Sequence, residues 1–383
     1  MATTIVSGVQ YSGIWTMQQV NAAVAAGTWT GLPQFFNWGK NNFGQLNLSN
    51  TTSYSSPKQV NSVSYWLSVA GGQYVFGGLK GNGTIWTSGY GFYGNMGLGN
   101  TTNYSSPKQV GALTTWASLT VGPNTMFGVT TSGALWSWGR GDNGALGLGN
   151  ITSYSSPKQV GALTTWSSVS ASSNVTAAIK TDGTMWSWGL NNFGQLGLSN
   201  TTSYSSPKQV GALTSWSKIA AEEFFMVAIK TDGTMWTWGR NNVGQLGLGN
   251  TTNYSSPKQI GALTTWYKVS AGGDSVLALK TDGTLWSWGT NGSGQLGLGD
   301  TVNRSSPTQV GALTNWLVIS CGKYNFGMAS VKTDGTLWTW GTNLNGQLGL
   351  GNTTDYSSPK QVGAITTWTY AQASGQSVFA LRT

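Results

Sequence analysis

Short apolar runs, separated by glycine and small polar residues, recur along most of the chain. One run is the aliphatic stretch 276–279, and a second, with two alternating tryptophans, follows at 285–288. The dipeptide Asp282-Gly283 lies between them, and both residue types tolerate the positive φ that a two-residue hairpin turn requires. The pattern therefore predicts two short antiparallel strands joined by a tight turn.

This hairpin returns throughout the sequence at a nearly constant period. Three features each occur seven times: a Ser-Ser-Pro triplet, a lone Trp at the start of a strand-like run, and a second hairpin strand that ends in Gly, usually after Trp. The triplets end at Pro57, Pro107, Pro157, Pro207, Pro257, Pro307 and Pro359. The interval is 50 residues five times and 52 residues once, and we assign the two extra residues to the strand at 328–331.

Each repeat holds four strand candidates, which predicts the fold class. One lies near Pro-Lys-Gln, one follows the lone Trp, and two flank the tight turn. Four short antiparallel strands in ~40–50 residues are typical of a β-propeller blade. A blade buries its faces only between two neighbours, and closing the ring leaves few exposed sheet edges. We therefore predict an all-β, closed seven-bladed β-propeller rather than an open solenoid.

The two ends of the chain carry the two arms of one hairpin. Residues 377–383 match the first strand of the hairpin, but no second strand follows them. A second hairpin strand without a preceding first strand occurs at 35–39. We predict that this N-terminal strand pairs beside 377–382 and completes the last blade. The propeller then spans 34–383, and residues 1–33 form a separate N-terminal segment.

The repeat also resembles a known family. The order Leu-Trp-Ser-Trp-Gly, then Gly-Gln-Leu-Gly, then a Pro and a Val, is similar to the repeat of the regulator of chromosome condensation family over 34–383. The resemblance implies a seven-bladed propeller. It selects no single function, because the family includes exchange factors for a nuclear GTPase and secreted enzyme inhibitors. Exchange activity is not expected, since no repeat carries a wedge-like insertion and the histidine usual before the family's Ala-Leu strand is absent.

Composition favours a packed scaffold without catalysis. Most of the 21 tryptophans occupy fixed repeat positions, and each would remove ~150–250 Å² from water in a core. The chain has no histidine, which removes the commonest general base and metal ligand. Four of the ten carboxylates belong to Asp-Gly turns, and the adjacent Glu222 and Glu223 would point to opposite sides of a strand. We expect no catalytic residues, no metal and no cofactor.

The net charge of +9 comes largely from lysines at equivalent repeat positions. Six follow the repeat proline and four precede the Asp-Gly turns: Lys58, Lys108, Lys158, Lys208, Lys258, Lys360, Lys180, Lys230, Lys280 and Lys332. Their even spacing predicts a solvated rim rather than the basic stripe that nucleic acids favour. Cys321 takes the place of Ala or Val in other repeats, which indicates a small side chain buried in the core.

The chain shows no signal for a membrane or for secretion. No apolar run reaches the ~20 residues that span a bilayer. The first charged side chain is Lys40, so no basic leader region precedes an apolar stretch. We expect no membrane insertion and no signal peptide.

Residues 1–33 predict a short helix and an attachment segment. Thr16 and Gln19 match a capping box and Gly27 a helix end, which predicts a helix at 17–26. Residues 11–17 and 25–29 resemble a short segment of bacteriophage virion proteins, particularly marine and cyanobacterial ones. The attachment candidates are Tyr11, Trp15, Met17, Val20, Val24 and Trp29. The alternative is a brace that packs on the propeller.

The repeats differ most in two segments, namely 72–75 and 40–43 with their equivalents. The turns after the first and third strands of an up-and-down sheet lie at the same end, so we predict that these segments gather on one face. Aromatic and arginine side chains on rigid loops suit recognition, although drift in solvent loops is an alternative. The candidates are Phe43, Tyr74, Tyr90, Phe92, Tyr93, Arg140, Phe193, Phe224, Arg240 and Tyr324.

Taken together, these patterns predict a phage virion structural protein on the particle exterior, in a tail, fibre or capsid, made in the host cytoplasm. Its N-terminal segment would bind other virion proteins, and its propeller would bind a host surface glycan, a host protein or another virion protein. One alternative is a cellular protein-binding regulator or inhibitor. The other is a lectin with repeated pockets between blades.

Overall fold

A computed structural model describes residues 33–60, 66–323 and 327–383. In these ranges 28 strands and one short 3-10 helix form seven antiparallel sheets of four strands. The sheets are the blades of a ring, and the predicted all-β seven-bladed propeller is confirmed. The helix predicted at 17–26 and its attachment residues lie outside the described ranges, as does Tyr324.

Each blade has an inner strand that begins at the lone Trp, two strands that flank a tight turn, and an outer strand with Ser-Ser-Pro. Blade 1 contains β3 (Trp66–Gly71), β4 (Val75–Lys80), β5 (Ile85–Gly89) and β6 (Tyr104–Gln109). Blade 2 contains β7 (Trp116–Val121), β8 (Thr125–Thr130), β9 (Leu135–Gly139) and β10 (Tyr154–Gln159), with the 3-10 helix Asp142–Gly144 between its last two strands. Blade 3 contains β11 (Trp166–Ala171), β12 (Val175–Lys180), β13 (Met185–Gly189) and β14 (Tyr204–Gln209). Blade 4 contains β15 (Trp216–Ala221), β16 (Phe225–Lys230), β17 (Met235–Gly239) and β18 (Tyr254–Gln259).

The remaining blades repeat this order. Blade 5 contains β19 (Trp266–Gly272), β20 (Ser275–Lys280), β21 (Leu285–Gly289) and β22 (Arg304–Gln309). Blade 6 contains β23 (Trp316–Cys321), β24 (Met328–Lys332), β25 (Leu337–Gly341) and β26 (Tyr356–Gln361). Blade 7 contains β27 (Trp368–Ser374), β28 (Ser377–Arg382), β1 (Gln34–Gly39) and β2 (Tyr54–Gln59).

Blade 7 closes the ring with two strands from each end of the chain. β1 pairs with β28 along its whole length, from Gln34 opposite Arg382 to Gly39 opposite Ser377. This confirms the predicted closure, and β2 adds the outer strand. The indole of Trp38 in β1 also donates a hydrogen bond to the backbone oxygen of Gln347, in the loop after β25 of blade 6, at 2.9 Å.

The hydrophobic core is a set of layers between blades. In one layer, Trp288 of blade 5 is 0% exposed and packs with Leu246 of blade 4. Its indole donates to the backbone oxygen of Gln245, also from blade 4, at 3.0 Å. The same indole-to-carbonyl contact recurs at five other positions of the ring, and the seven lone tryptophans that open the inner strands are also buried. Most tryptophans therefore belong to the core, as predicted. The outer strands instead carry a proline and an exposed lysine, as at Pro257 and Lys258, which discourages pairing with other chains.

Our assignment of the two extra residues of the sixth repeat to the strand at 328–331 was wrong, because they come before that strand. Cys321 pairs with Met328, whereas the equivalent Ala271 pairs with Val276. The added length therefore falls within 322–327, between the first two strands of blade 6. Two extra residues within a paired strand would shift its register, whereas a connection between strands can change in length without affecting the pairing.

The lysines before the Asp-Gly turns lie between tryptophan rings, so the predicted solvated rim was wrong for this set. Lys180 is 8% exposed, and its Nζ lies 3.9 Å from the centroid of Trp186 and 5.0 Å from that of Trp166. Burial lowers the pKa of Lys180, and Asp182 opposes this shift. The lysines after the repeat proline, such as Lys258, are exposed as predicted.

Candidate partner-binding face

The loops after the first and third strands of the blades meet at one end of the ring, which we call the upper face. Loops from blades 7, 1, 2, 3 and 4 line one open depression of about 570 Å³ there, here named the trough. Its lining includes Phe43, Tyr93, Asn174 and Glu223. The structure thus brings variable segments from five blades together, as the strand order predicted.

Five predicted residues, Phe43, Tyr74, Tyr90, Phe92 and Tyr93, form a continuous cluster that we call the aromatic shelf. The ring centroid of Phe43 lies 5.4 Å from that of Tyr74 and 4.6 Å from that of Tyr90. Tyr90 stacks on Phe92 at 5.9 Å, and Phe92 meets Tyr93 edge-on at 5.1 Å. Phe92 is 61% exposed, so the shelf presents apolar surface to solvent.

Two cations flank the aromatic shelf. The Nζ of Lys40 lies 5.5 Å from the ring centroid of Tyr74, and the guanidinium carbon of Arg140 lies 4.9 Å from that of Tyr93. Arg140 also forms an ion pair with Asp142 at 2.6 Å. Arg140 is therefore held over the shelf by a neighbouring carboxylate of its own loop.

Three further predicted residues form a second cluster. Phe193 and Phe224 pack edge to face at 5.7 Å, and the guanidinium carbon of Arg240 lies 4.0 Å from the Phe224 centroid. Arg240 pairs with Asp274 at 2.6 Å, and the side-chain amide of Gln245 donates to the same carboxylate at 3.1 Å. Gln245 belongs to the repeated Gly-Gln-Leu motif, so the variable segments alone could not indicate its part in this cluster.

The inner strands of all seven blades and Lys323 line a central channel of about 270 Å³. Lys323, which follows the inner strand of blade 6, forms an ion pair there with Glu222 of blade 4. Lys323 also donates to the backbone oxygen of Ala221 at 3.2 Å. Burial raises the pKa of Glu222 to about 7, and Lys323 opposes this shift. Glu223 points elsewhere and accepts a hydrogen bond from Asn174 at 3.0 Å. The two adjacent carboxylates therefore make separate contacts, but they do so from the turn after β15 and not from the strand on which we expected them.

Other reactive side chains have structural contacts. Asp282 accepts hydrogen bonds from the backbone and hydroxyl of Thr284 at 2.9 and 2.7 Å, which lowers its pKa. Cys321 is buried, its pKa is raised to about 12 by that burial, and its thiol donates to the Ser270 carbonyl at 3.2 Å. Across 33–60, 66–323 and 327–383, no three metal-ligating side chains lie close enough to hold an ion. The same ranges contain no helix with the length and apolarity of a membrane span.

Comparisons with known proteins agree with the propeller geometry. Human WBSCR16 has a TM-score of 0.81 at 18% identity, covering 92% of this chain and 99% of that one. Prp20p of Saccharomyces cerevisiae has a TM-score of 0.80 at 19% identity, covering 93% of this chain and 92% of that one. Yeast Prp20 bound to Kap60 has a TM-score of 0.82 at 18% identity, covering 100% of this chain and 96% of that one. These identities show a shared fold alone. No curated protein matches the chain significantly.

The family itself is shown by matches to family models. The model of the regulator of chromosome condensation (RCC1) repeat matches residues 34–76. The model of the RCC1-like domain matches residues 116–380, which is more than half of the chain. The chain therefore belongs to the family of RCC1-like domains.

Proposed function

We propose that this chain is a non-enzymatic, protein-binding propeller that recognises its partner through the upper face. The observation that carries the proposal is the aromatic shelf, where five packed rings lie beside Lys40 and Arg140 on the diversified side of a repetitive ring. Aromatic residues and arginine dominate the energetics of protein interfaces. Connecting loops on a rigid scaffold are the usual location of binding residues.

The loop that carries Phe43 is held in place before any partner arrives. The backbone N–H of Lys40 donates to the Gln376 carbonyl at 2.8 Å, and that of Phe43 donates to the side-chain oxygen of Gln45 at 3.1 Å. Leu46, at the end of this segment, is buried. A preorganised loop loses little conformational freedom on binding, which leaves more of the contact energy for affinity.

A protein partner is favoured over the lectin alternative because other side chains already pack on the ring of Trp286, a partly exposed tryptophan in an open depression between blades 4 and 5. Lys280 lies 3.6 Å from the ring centroid of Trp286, and Trp266 packs against Trp286 at 6.1 Å. A sugar stacking on Trp286 would have to displace these neighbours. Among similar folds, Prp20p is described with binding to Gsp1p and histones, and Prp20 is bound to Kap60, so proteins of this fold do bind proteins.

The location in a phage virion is a separate proposal. It rests on the resemblance of 11–17 and 25–29 to virion proteins, and those residues lie outside the described ranges. Mass spectrometry of purified particles tests it, and particles without this chain would refute it. The upper face could bind another virion protein or a cellular protein with the same side chains.

The proposal is tested by placing a photo-cross-linking benzoylphenylalanine at position 92 to capture the partner. The affinity of the purified partner is then measured for the wild-type chain and for Tyr90→Ala with Phe92→Ala. We expect the double variant to bind at least about tenfold more weakly, since interface hot spots exceed ~1.4–2 kcal/mol. Leu263→Ala is the matched control, because Leu263 is 48% exposed on the opposite face. Equal affinity of the shelf variant and the control would overturn the proposal.

A further inference from the structure

We infer that the trough binds an extended peptide of fixed charge polarity, with an acidic residue beside an apolar side chain at the aromatic shelf and a basic residue at Glu223. This inference rests on the proposed protein-binding function and specifies the class of partner. It derives from how charges are distributed across the blades that line the trough.

Most charges of the upper face are paired within the protein. Arg140 pairs with Asp142, Arg240 with Asp274, and Lys323 with Glu222. Lys40 and Glu223 have no ion-pair partner in the part of the chain that the structure describes, and both line the trough. The trough therefore offers one positive and one negative group to a ligand.

These two groups come from opposite sides of the ring. Lys40 follows β1 of blade 7, and Glu223 lies in the turn after β15 of blade 4. Blades 1, 2 and 3 contribute the lining between them. Lys40 lies over Tyr74, so the positive end coincides with the aromatic shelf. A ligand that satisfies both ends must be elongated and must carry opposite charges at a distance.

The middle of the trough suits a peptide backbone. Gln73, Asn124 and Asn174 line it, and carboxamides both donate and accept hydrogen bonds, as peptide groups do. The side chain of Asn174 already orients Glu223 at 3.0 Å. A volume of about 570 Å³ lies within the ~300–1,000 Å³ of typical ligand sites.

Charge complementarity favours a dipolar peptide over other ligands. A neutral saccharide would cover Lys40 and Glu223 without compensating either charge. A polyanion would be repelled by Glu223, and a polycation by Lys40. A peptide with an acid at one end and a base at the other compensates both, and each partly exposed pair changes affinity by roughly two- to fivefold.

The test is a selection of random octapeptides, displayed on particles, against the immobilised full-length chain. The wild type should enrich Asp or Glu next to an apolar residue, followed or preceded at a fixed separation by Lys or Arg. The double variant Lys40→Glu with Glu223→Lys keeps the net charge and should enrich the reversed order. Lys258→Glu, on an exposed outer strand, is the control for single charge reversal and should leave the wild-type preference unchanged.

The outcomes separate this inference from the proposed function. Selection of the same polarity by the charge-swapped variant, or no charge preference at all, overturns the dipolar peptide. If the selected peptides lack polarity but lose binding on Tyr90→Ala, the inference fails and the protein-binding face stands. Binding of an arrayed glycan that is lost on Tyr90→Ala, with no peptide selected, overturns both. Unchanged circular dichroism and melting temperature confirm that the loop variants fold.

Discussion

The contact between Gly247 and Trp288 makes a quantitative prediction about how neighbouring blades are held together. Gly247 has φ of +69°, and a Cβ added there would lie 2.7 Å from the indole nitrogen of Trp288. The indole cannot move away easily, because it is 0% exposed and its N–H donates to the Gln245 carbonyl at 3.0 Å. Gly247→Ala should therefore force two blades apart.

Two costs combine in this variant. A left-handed backbone costs an alanine about 1–2 kcal/mol, and overpacking a core adds about 1–3 kcal/mol. Gly261 separates the two terms, because it has φ of +56° but no atom within 4 Å of its added Cβ. We expect the free energy of unfolding to fall by about 2–5 kcal/mol for Gly247→Ala and by about 1–2 kcal/mol for Gly261→Ala. The change in unfolded-chain entropy is common to both and cancels.

Equilibrium unfolding in guanidinium chloride measures both values. The comparison requires that the free energy of unfolding depends on denaturant concentration with the same slope in the two variants. The difference between them reports the steric contact alone. If the two variants lost the same stability within about 0.5 kcal/mol, the close approach of glycine and indole would not be what couples these blades.

Two further predictions concern the closure of the ring and its central channel. Trp38→Ala should lower the free energy of unfolding by about 3–5 kcal/mol and speed amide exchange in β1 and β28, and unchanged exchange there would contradict a closure held by this side chain. Glu222 has a folded pKa of about 7 against an ordinary value of 4.5, so the folded state binds this proton more tightly than the unfolded state. Its stabilising contribution is complete below about pH 4.5 and is lost as the pH rises to 7, so the stability of the wild type relative to Glu222→Gln should fall over that range by at most about 3 kcal/mol. Parallel pH profiles of wild type and Glu222→Gln would refute this assignment.

Much of the upper face could be predicted, but its partition into two clusters could not. Strand order alone places the variable loops at one end, and the structure brings Phe43, Tyr74 and Tyr90 together there. The pairing of Arg240 with Asp274 joins loops of different blades. Such a contact depends on how far each blade is rotated against the next, which no local pattern records.

The repeat period, the four strands of a blade and the pairing of 35–39 with 377–382 followed from the amino-acid sequence by itself. These features depend on turn chemistry and on strands that are close in sequence or complementary at the termini. Only the tertiary structure placed the two extra residues in 322–327, Lys180 between tryptophans and Glu222 against Lys323. The physical reason is that local periodicity determines which strands pair within a sheet, whereas contacts between blades and across the channel depend on the closed ring as a whole.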